Sequence, residues 1–176
     1  MRKAIIDASS AILLFKAHLF SRLVTIYEIV MAQSVYDELT IDGYPGARAF
    51  RSDCETNKFA VLQWDGDGFF RGNPIPGILP PGRGEGDTIR WFLNGAADCI
   101  IIDDGAGASY CKNNKIPYVN ALLCARLLYL QRHISESDYH DAMRDLQHIG
   151  RYSRRIVEHA LCCPQEGLVF FLASDL

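Results

Sequence analysis

Short apolar runs alternate with segments of helical spacing through the first two thirds of the chain. The runs, which we predict to be strands, lie at residues 3–6, 26–31, 59–64, 98–102 and 116–120. Apolar residues every three or four positions predict helices at residues 11–20, 47–57, 85–94 and 107–113, with a further helix starting at Ser34. The runs lack the strict alternation of a half-exposed strand. This pattern is typical of a mainly parallel sheet covered by helices on both faces, so we expect the α/β class.

The last third of the chain has helical spacing almost throughout. Predicted helices cover residues 121–130, 135–149 and 153–162, with Gly150 as the C-cap of the second. The closing apolar run, residues 168–173, is expected to form a docking strand or an oligomer contact. A length of 176 residues suits one domain with a continuous core. We therefore predict a single domain, residues 1–176, with a helical C-terminal part at residues 121–163.

Residues 65–84 form a long segment dense in glycine and proline, which holds four of the seven prolines. A loop of about twenty residues is uncommon inside one domain and is usually functional or packed on the surface. We expect this segment to be a functional flap or a packed excursion, and any specificity of the protein to reside in it.

The composition excludes several classes of protein. The chain is 49% hydrophobic and 22% charged, as in ordinary globular domains. The first residues lack the core of a signal peptide, and no apolar stretch approaches the ~20 residues of a membrane helix, so we expect a cytoplasmic protein with no membrane partner. Six cysteines without a Cys-x-x-Cys pair indicate reduced core residues rather than a zinc or redox site.

The charge balance restricts how the chain could bind nucleic acid. A net charge of −3 argues against binding by bulk positive charge. If six of the 21 acidic residues serve a metal, 15 remain against 18 lysines and arginines, and the rest of the chain carries +3. A bound divalent cation would shift the balance further. A nucleic-acid substrate is therefore favoured only together with a metal site.

Acidic residues occur at nearly every junction between a predicted strand and the next helix, where ligands gather in an open α/β sheet. These residues are Asp7, Glu38, Glu85, Asp87, Asp103 and Asp104. The segment from Ser34 to Asp37 resembles a capping box, which would place Glu38 in the first turn of its helix. We expect the six side chains to point toward one rim of the sheet.

Crowded carboxylates repel one another unless a cation neutralises them, and hard oxygen ligands favour Mg²⁺ or Mn²⁺ over zinc. Magnesium uses few carboxylates and keeps several waters, which leaves positions for a phosphate oxygen and an attacking water. Phosphodiester hydrolysis is the natural reaction for such a site. Each acid taken singly also has a structural explanation, as a helix cap or as a partner of the helix dipole.

Four short motifs in the expected order resemble those of the PIN domains, and more closely the VapC-like toxin ribonucleases and their relatives. The motifs are residues 5–10 around Asp7, 35–39 around Glu38, 82–89 around Glu85 and Asp87, and 101–104 around Asp103 and Asp104. The C-terminal part through residues 149–153 is also similar, so the resemblance covers nearly the whole chain. It implies a three-layer α/β/α fold.

The resemblance also implies an activity, a metal and partners. The implied activity is that of an endoribonuclease acting on single-stranded or structured RNA, with Mg²⁺ or Mn²⁺ as cofactor. The implied ligands and catalytic residues are Asp7, Glu38, Asp87 and Asp103, with Ser9, Glu85 and Asp104 in support. Gly86 follows Glu85 where a helix former is more usual, which leaves open whether Glu85 or Asp87 is the third ligand. For the fourth ligand, Asp103 is preferred and its neighbour Asp104 could serve instead. The family also implies a toxin role, a cognate antitoxin protein and a homodimer.

Basic side chains near the acids are candidate contacts for RNA phosphates, which Lys and Arg position. The candidates are Arg48, Arg51, Arg83, Arg90 and Lys112. Each has a plainer alternative; Arg90, for example, is three residues after Asp87 and is spaced to pair with it on the helix surface.

Two other functions fit parts of the pattern. A different metal-dependent phosphoesterase or nucleotide hydrolase would use the same acids on a smaller substrate. Neither Gly82-x-Gly84 nor Gly105-Ala106-Gly107 completes a phosphate-binding glycine motif, which counts against it. A non-catalytic module that only binds RNA or an antitoxin would be marked by loss of acids, and here the acids are present.

Overall fold

A computed structural model describes residues 1–44, 46–63, 77, 80 and 82–172. Five strands lie within these residues: β1 (Arg2–Ile6), β2 (Tyr27–Ala32), β3 (Phe59–Leu62), β4 (Cys99–Ile101) and β5 (Tyr118–Val119). They form one sheet in the order β3-β2-β1-β4-β5, and every neighbouring pair is parallel. The predicted α/β class and parallel sheet are confirmed. Because all strands run the same way, their carboxyl ends meet at one edge of the sheet.

Helices follow most of the strands and then close the chain. The described helices are α1 (Ala8–Lys16), α2 (Phe20–Leu23), α3 (Gln33–Leu39), α4 (Ala47–Glu55), α5 (Arg83–Leu93), α6 (Gly105–Asn113), α7 (Ala121–Leu130), α8 (Glu136–Ile149) and α9 (Arg154–Cys162), followed by a 3-10 helix (Gln165–Phe171). The last three α-helices match the predicted segments to within one residue. Within the described part of the chain, no helix is long and apolar enough to cross a membrane.

The sheet is buried on both faces, which gives three layers. Ala4 and Ile6 of β1 belong to the larger core cluster, which includes residues of α1, α2, α7 and α8. Ile5 belongs to the second cluster, with Ile89 of α5 and Tyr110 of α6. Successive side chains of a strand point to opposite faces, so the mostly apolar run of β1 serves both clusters at once.

The helix after β2 departs from the prediction because its polar side chains have other partners. α3 begins at Gln33, and the residue before it makes no side-chain capping bond. The predicted capping box is wrong: the Ser34 hydroxyl donates to Asp87 at 2.7 Å, and Asp37 accepts from the Gln33 side chain at 2.6 Å. Glu38 consequently lies one residue before the end of the helix, not in its first turn.

Two predicted segments lie partly outside the described residues. The glycine- and proline-rich segment 65–84 is described only at 77, 80 and 82–84, and its last residues belong to α5, which begins at Arg83. The closing run 168–173 is described up to 172, and the expected strand is wrong, because Gln165–Phe171 forms a 3-10 helix.

This 3-10 helix is held at the amino ends of the strands, opposite the edge where ligands gather. Arg2 at the start of β1 donates from Nε to the Leu172 carbonyl at 3.3 Å, and its guanidinium lies 4.6 Å from the centre of the Phe170 ring. The Tyr27 hydroxyl, at the start of β2, donates to the Phe171 carbonyl. The end of the described chain is thus fastened to the two central strands.

Candidate metal centre

Asp7 follows β1, the central strand, and forms the N-cap of α1. It is 1% exposed; its Oδ1 accepts from the Ser10 N–H at 2.9 Å and its Oδ2 from the Ser9 hydroxyl at 2.6 Å. Burial raises the pKa of Asp7 to about 7, against the hydrogen bonds of Ser10 and Ser9, and nearby Asp103 adds a smaller increase. The carboxylate is held in place, but its charge is poorly compensated.

Asp103 lies just beyond β4, the strand next to β1. Its Oδ2 accepts from the Ala121 N–H at the start of α7 at 2.9 Å, and its Oδ1 accepts from the Tyr152 hydroxyl. Burial raises the pKa of Asp103, although hydrogen bonds from Tyr152, Ser10 and Ala121 oppose the increase. Asp103 is less buried than Asp7, but here too the hydrogen bonds do not offset the loss of water.

The sheet register brings Asp7 and Asp103 together. Ile6 pairs with Ile101, and the Asp7 N–H donates to the Ile101 carbonyl at 3.1 Å. Ser10 is fully buried beside both acids and its hydroxyl opposes the pKa increase of each, yet its oxygen makes no satisfactory hydrogen bond within the described residues. No ion pair among the described side chains includes either acid.

Glu38 and Glu85 form a second pair of acids where α3 packs against α5. A Cβ built on Gly84 would lie 3.6 Å from Glu38 Oε2 and 3.5 Å from Cγ2 of Val35, which are ordinary van der Waals distances and show that Gly84 faces Glu38 and Val35 of α3. Burial, and then the charge of Glu85, raise the pKa of Glu38. The two carboxylates are close enough to repel each other.

Asp87, one turn along α5, has a different environment from the other predicted ligands. Its Oδ1 accepts from Arg90 at 2.8 Å, its Oδ2 accepts from the Ser34 hydroxyl at 2.7 Å, and Arg83 lies 4.0 Å away. The ion pair between Arg90 and Asp87 is the structural role that the spacing of Arg90 predicted as the alternative to an RNA contact. Asp87 is thus neutralised by protein cations, whereas Glu85 is not paired with any described cation.

Asp104 serves α6 instead of the acid pair. Its Oδ1 accepts from the Gly107 N–H at 2.8 Å, which makes it the N-cap of that helix. Of the two adjacent acids, Asp103 is therefore the one that joins Asp7, while Asp104 has the structural role that spacing alone could also explain.

The basic residues predicted to contact RNA differ in their exposure and in their ion pairs. The Arg83 side chain is 86% exposed at the start of α5, and Arg90 is held by its ion pair on the same helix. Arg51 lies on α4, where it donates to the Thr40 carbonyl and pairs with Asp42 at 2.5 Å.

The other two basic candidates lie on exposed helix surfaces. Arg48 is exposed in the first turn of α4. Lys112 is exposed in the last turn of α6, about 12 Å along the helix from its N-cap Asp104 at 1.5 Å rise per residue. Among the five candidates, Arg83 thus combines a largely exposed side chain with a position 4.0 Å from a predicted acid, Asp87.

The donor set fits a hard divalent cation. Asp7, which is buried, and Asp103, which is partly buried, offer only oxygen and have no described counter-ion. The buried Ser10 hydroxyl beside them lacks a hydrogen-bond partner within the described residues. Magnesium needs only one or two carboxylates and completes its shell with water. Across the described residues, no three acids, histidines or cysteines converge on one point. The structure therefore arranges the predicted ligands as pairs, and Asp7 with Asp103 is the pair best suited to a metal.

Several residues of the site escape sequence patterns. Ser10 and Ala121 act through backbone N–H groups at helix starts, a signal that the strand-to-helix junctions do contain. Tyr152 reaches Asp103 across 49 positions and Ser34 reaches Asp87 across 53, and no local pattern indicates either contact. The sequence placed Asp7, Asp103 and Asp104 correctly at the junctions between strand and helix, but misplaced Glu38 and did not indicate the distant residues that hold the acids.

Comparison with known proteins supports the family. No curated protein and no solved structure matches the chain. The model of a family described as PIN domain matches residues 3–162, which include both acid pairs, every strand and helices α1 to α9. PIN domains are generally nucleases and typically bind divalent metal ions. From the extent of this match, together with the parallel sheet and the acids at its carboxyl edge, the chain belongs to the PIN-domain family.

Proposed function

We propose that this chain is a Mg²⁺- or Mn²⁺-dependent endoribonuclease that hydrolyses phosphodiester bonds of RNA. Nuclease activity in general follows from the family. The observation that carries the finer proposal is the pair formed by Asp7, which is buried, and Asp103, which is partly buried. The described residues supply no counter-ion for either carboxylate. A bound cation would neutralise the two carboxylates, so metal binding would also remove the electrostatic cost of holding them close together in the folded protein.

When bound, the ion would lower the pKa of a coordinated water and polarise a phosphoryl oxygen. Asp7 and Asp103 would hold it, each with both oxygens already oriented by hydrogen bonds. Ser9 and the Ser10 N–H fix Asp7, so this ligand needs no rearrangement when the cation arrives.

We assign Glu38 and Glu85 to a supporting pair where α3 packs against α5. Sequence alone favours Asp87 as the third ligand, but its carboxylate already pairs with Arg90 and accepts from Ser34. Breaking that pair would leave an uncompensated cation, whereas Glu85 is free of this cost. Glu85 is therefore the better partner for Glu38.

RNA as substrate is supported by the charge distribution and by Arg83. Without the four acids assigned to the site (Asp7, Asp103, Glu38 and Glu85), 17 acids remain against 18 lysines and arginines, and a bound divalent cation would add positive charge. Arg83 is exposed beside Asp87 at the start of α5. An exposed guanidinium on the helix that carries Glu85 would be available to position a phosphate group. The toxin role, an antitoxin partner and a homodimer remain part of the proposal on the strength of the resemblance.

The test is cleavage of a mixed single-stranded and hairpin RNA panel in Mg²⁺, Mn²⁺ or EDTA. Wild type is compared with Asp7→Asn and with Asp104→Asn, a matched control that keeps a helix cap. We expect metal-dependent cutting, lost by at least about 100-fold in Asp7→Asn and retained in Asp104→Asn. Folded, metal-loaded protein that cuts no RNA, or an Asp7→Asn variant as active as wild type, would overturn the proposal. Hydrolysis of a small phosphodiester with no cutting of RNA would favour the phosphoesterase alternative.

A further inference from the structure

The Tyr152 hydroxyl ties the C-terminal helices to the carboxylate pair. Tyr152 lies between α8 and α9, half-buried, with its ring against the larger core cluster. It donates to Asp103 Oδ1, while the Ala121 N–H donates to Oδ2 at 2.9 Å. Each carboxylate oxygen thus uses one lone pair and keeps another for a cation.

The turn that carries Tyr152 leaves no room for a side chain at its first residue, Gly150. A Cβ on Gly150 would lie 2.3 Å from Cε2 of the Tyr152 ring and 2.7 Å from the Leu146 carbonyl oxygen. Arg151 takes a φ of 42°, which is unfavourable for a residue other than glycine. Ser153 then caps α9 through its side chain. The position of the Tyr152 ring is therefore fixed by the lack of a side chain at Gly150, by the strained backbone of Arg151 and by the helix start at Ser153.

We propose that Tyr152 is a positioning residue that orients Asp103 for metal binding, an inference that rests on the proposed function, in which Asp103 is a ligand. Two donors at opposite oxygens stop the carboxylate from rotating, so less freedom is lost when the cation binds. Outer hydrogen bonds of this kind are typically worth roughly 10- to 100-fold in metal affinity or activity.

The contrast with Asp87 shows why a tyrosine suits this position. Arg90 holds Asp87 with a full positive charge, which satisfies the acid and competes with any metal. The phenol holds Asp103 with a neutral donor, so the carboxylate keeps the negative charge that a cation needs. Tyr152 provides orientation without neutralisation.

The experiment measures Mn²⁺ affinity by electron paramagnetic resonance of the free ion, independently of cleavage. The full-length proteins are wild type, Tyr152→Phe, Asp103→Asn, the double variant of these two, and Tyr139→Phe as control. Tyr139 is also buried, and its hydroxyl has no partner among the described residues, so its removal should not change Mn²⁺ affinity. We expect Tyr152→Phe to bind Mn²⁺ about tenfold more weakly. In the Asp103→Asn background the same substitution should add nothing.

Gly150→Ala is a second variant, because its added Cβ displaces the Tyr152 ring while the hydroxyl is kept. It should weaken Mn²⁺ binding in the same way. It replaces Tyr152→Phe in the test if that variant does not fold. Wild-type affinity in Tyr152→Phe, with binding weakened in Asp103→Asn, overturns the positioning role and leaves the proposed site intact. A deficit that persists in the Asp103→Asn background assigns the loss to packing and also overturns it. If Asp103→Asn binds Mn²⁺ as tightly as wild type, Asp103 is not a ligand and the proposed metal site is wrong.

Discussion

Replacing Asp7 by asparagine should stabilise the metal-free protein at neutral and higher pH. Burial raises the pKa of Asp7 from 3.8 to about 7. From roughly pH 4 to pH 7 the folded protein therefore keeps a proton that the unfolded chain has lost. The folded state binds more protons in this range, so its stability falls as the pH rises through it.

The size of the effect follows from the pKa shift. About three pH units at about 1.4 kcal/mol each correspond to a loss of about 4 kcal/mol in the metal-free wild type by pH 8. Asparagine has the same shape, does not titrate, and caps a helix as well as aspartate. It should therefore keep the hydrogen bond from the Ser10 N–H. We expect Asp7→Asn to match wild type near pH 4 and to exceed it by up to about 4 kcal/mol at pH 8.

Urea unfolding in EDTA, followed by far-ultraviolet circular dichroism from pH 4 to 8, measures this difference. Asp7→Ala separates charge from capping, because it also loses the cap and should be about 1 kcal/mol less stable than Asp7→Asn at every pH. Added Mg²⁺ should stabilise wild type and neither variant, since only wild type keeps the carboxylate pair. Stability curves of wild type and Asp7→Asn that run parallel from pH 4 to 8 would refute the electrostatic argument.

Two further predictions concern residues outside the acid pair. Asp104→Ala should cost about 1 kcal/mol, because the Gly107 N–H loses its cap, and should leave Mn²⁺ affinity unchanged; a loss of metal binding would move the fourth ligand from Asp103 to Asp104. Arg2→Ala should remove the contacts to Phe170 and the Leu172 carbonyl at a cost of about 1 kcal/mol, and amide hydrogen exchange in the 3-10 helix should become faster. Unchanged exchange would assign the anchoring of that helix to its other contacts.

The order of strands and helices could be predicted because burial on both faces leaves a plain signal. β1 and β4 carry apolar residues at every position that faces a cluster, and α7 and α8 keep the helical period over their whole length. The same logic placed Asp7 and Asp103 at one edge, since a parallel sheet gathers its strand ends.

Contacts between distant residues could not be predicted in this way. The Ser34 hydroxyl looked like a helix cap because its neighbours fit a capping box, but its partner is Asp87 on another helix. The choice between Glu85 and Asp87 depended on the rotamer of Arg90, which no spacing rule fixes. Local patterns describe which backbone forms, whereas the partners of polar side chains depend on the packed structure.

The sheet order has a consequence for how the protein is made. β1, the first strand of the chain, needs β2 on one side and β4 on the other, and Ile6 meets its partner only when residue 101 is available. Tyr152 comes later still. Pairing of strands across such separations is slow, because the chain loses the entropy of closing a long loop before the stabilising contacts form. A growing chain therefore carries Asp7 from the start but assembles the Asp7–Asp103 pair with its full set of donors only when nearly the whole sequence is present. Fragments that end before Tyr152 lack one donor to Asp103, so the full set of donors to the acid pair forms only after residue 152 has been made.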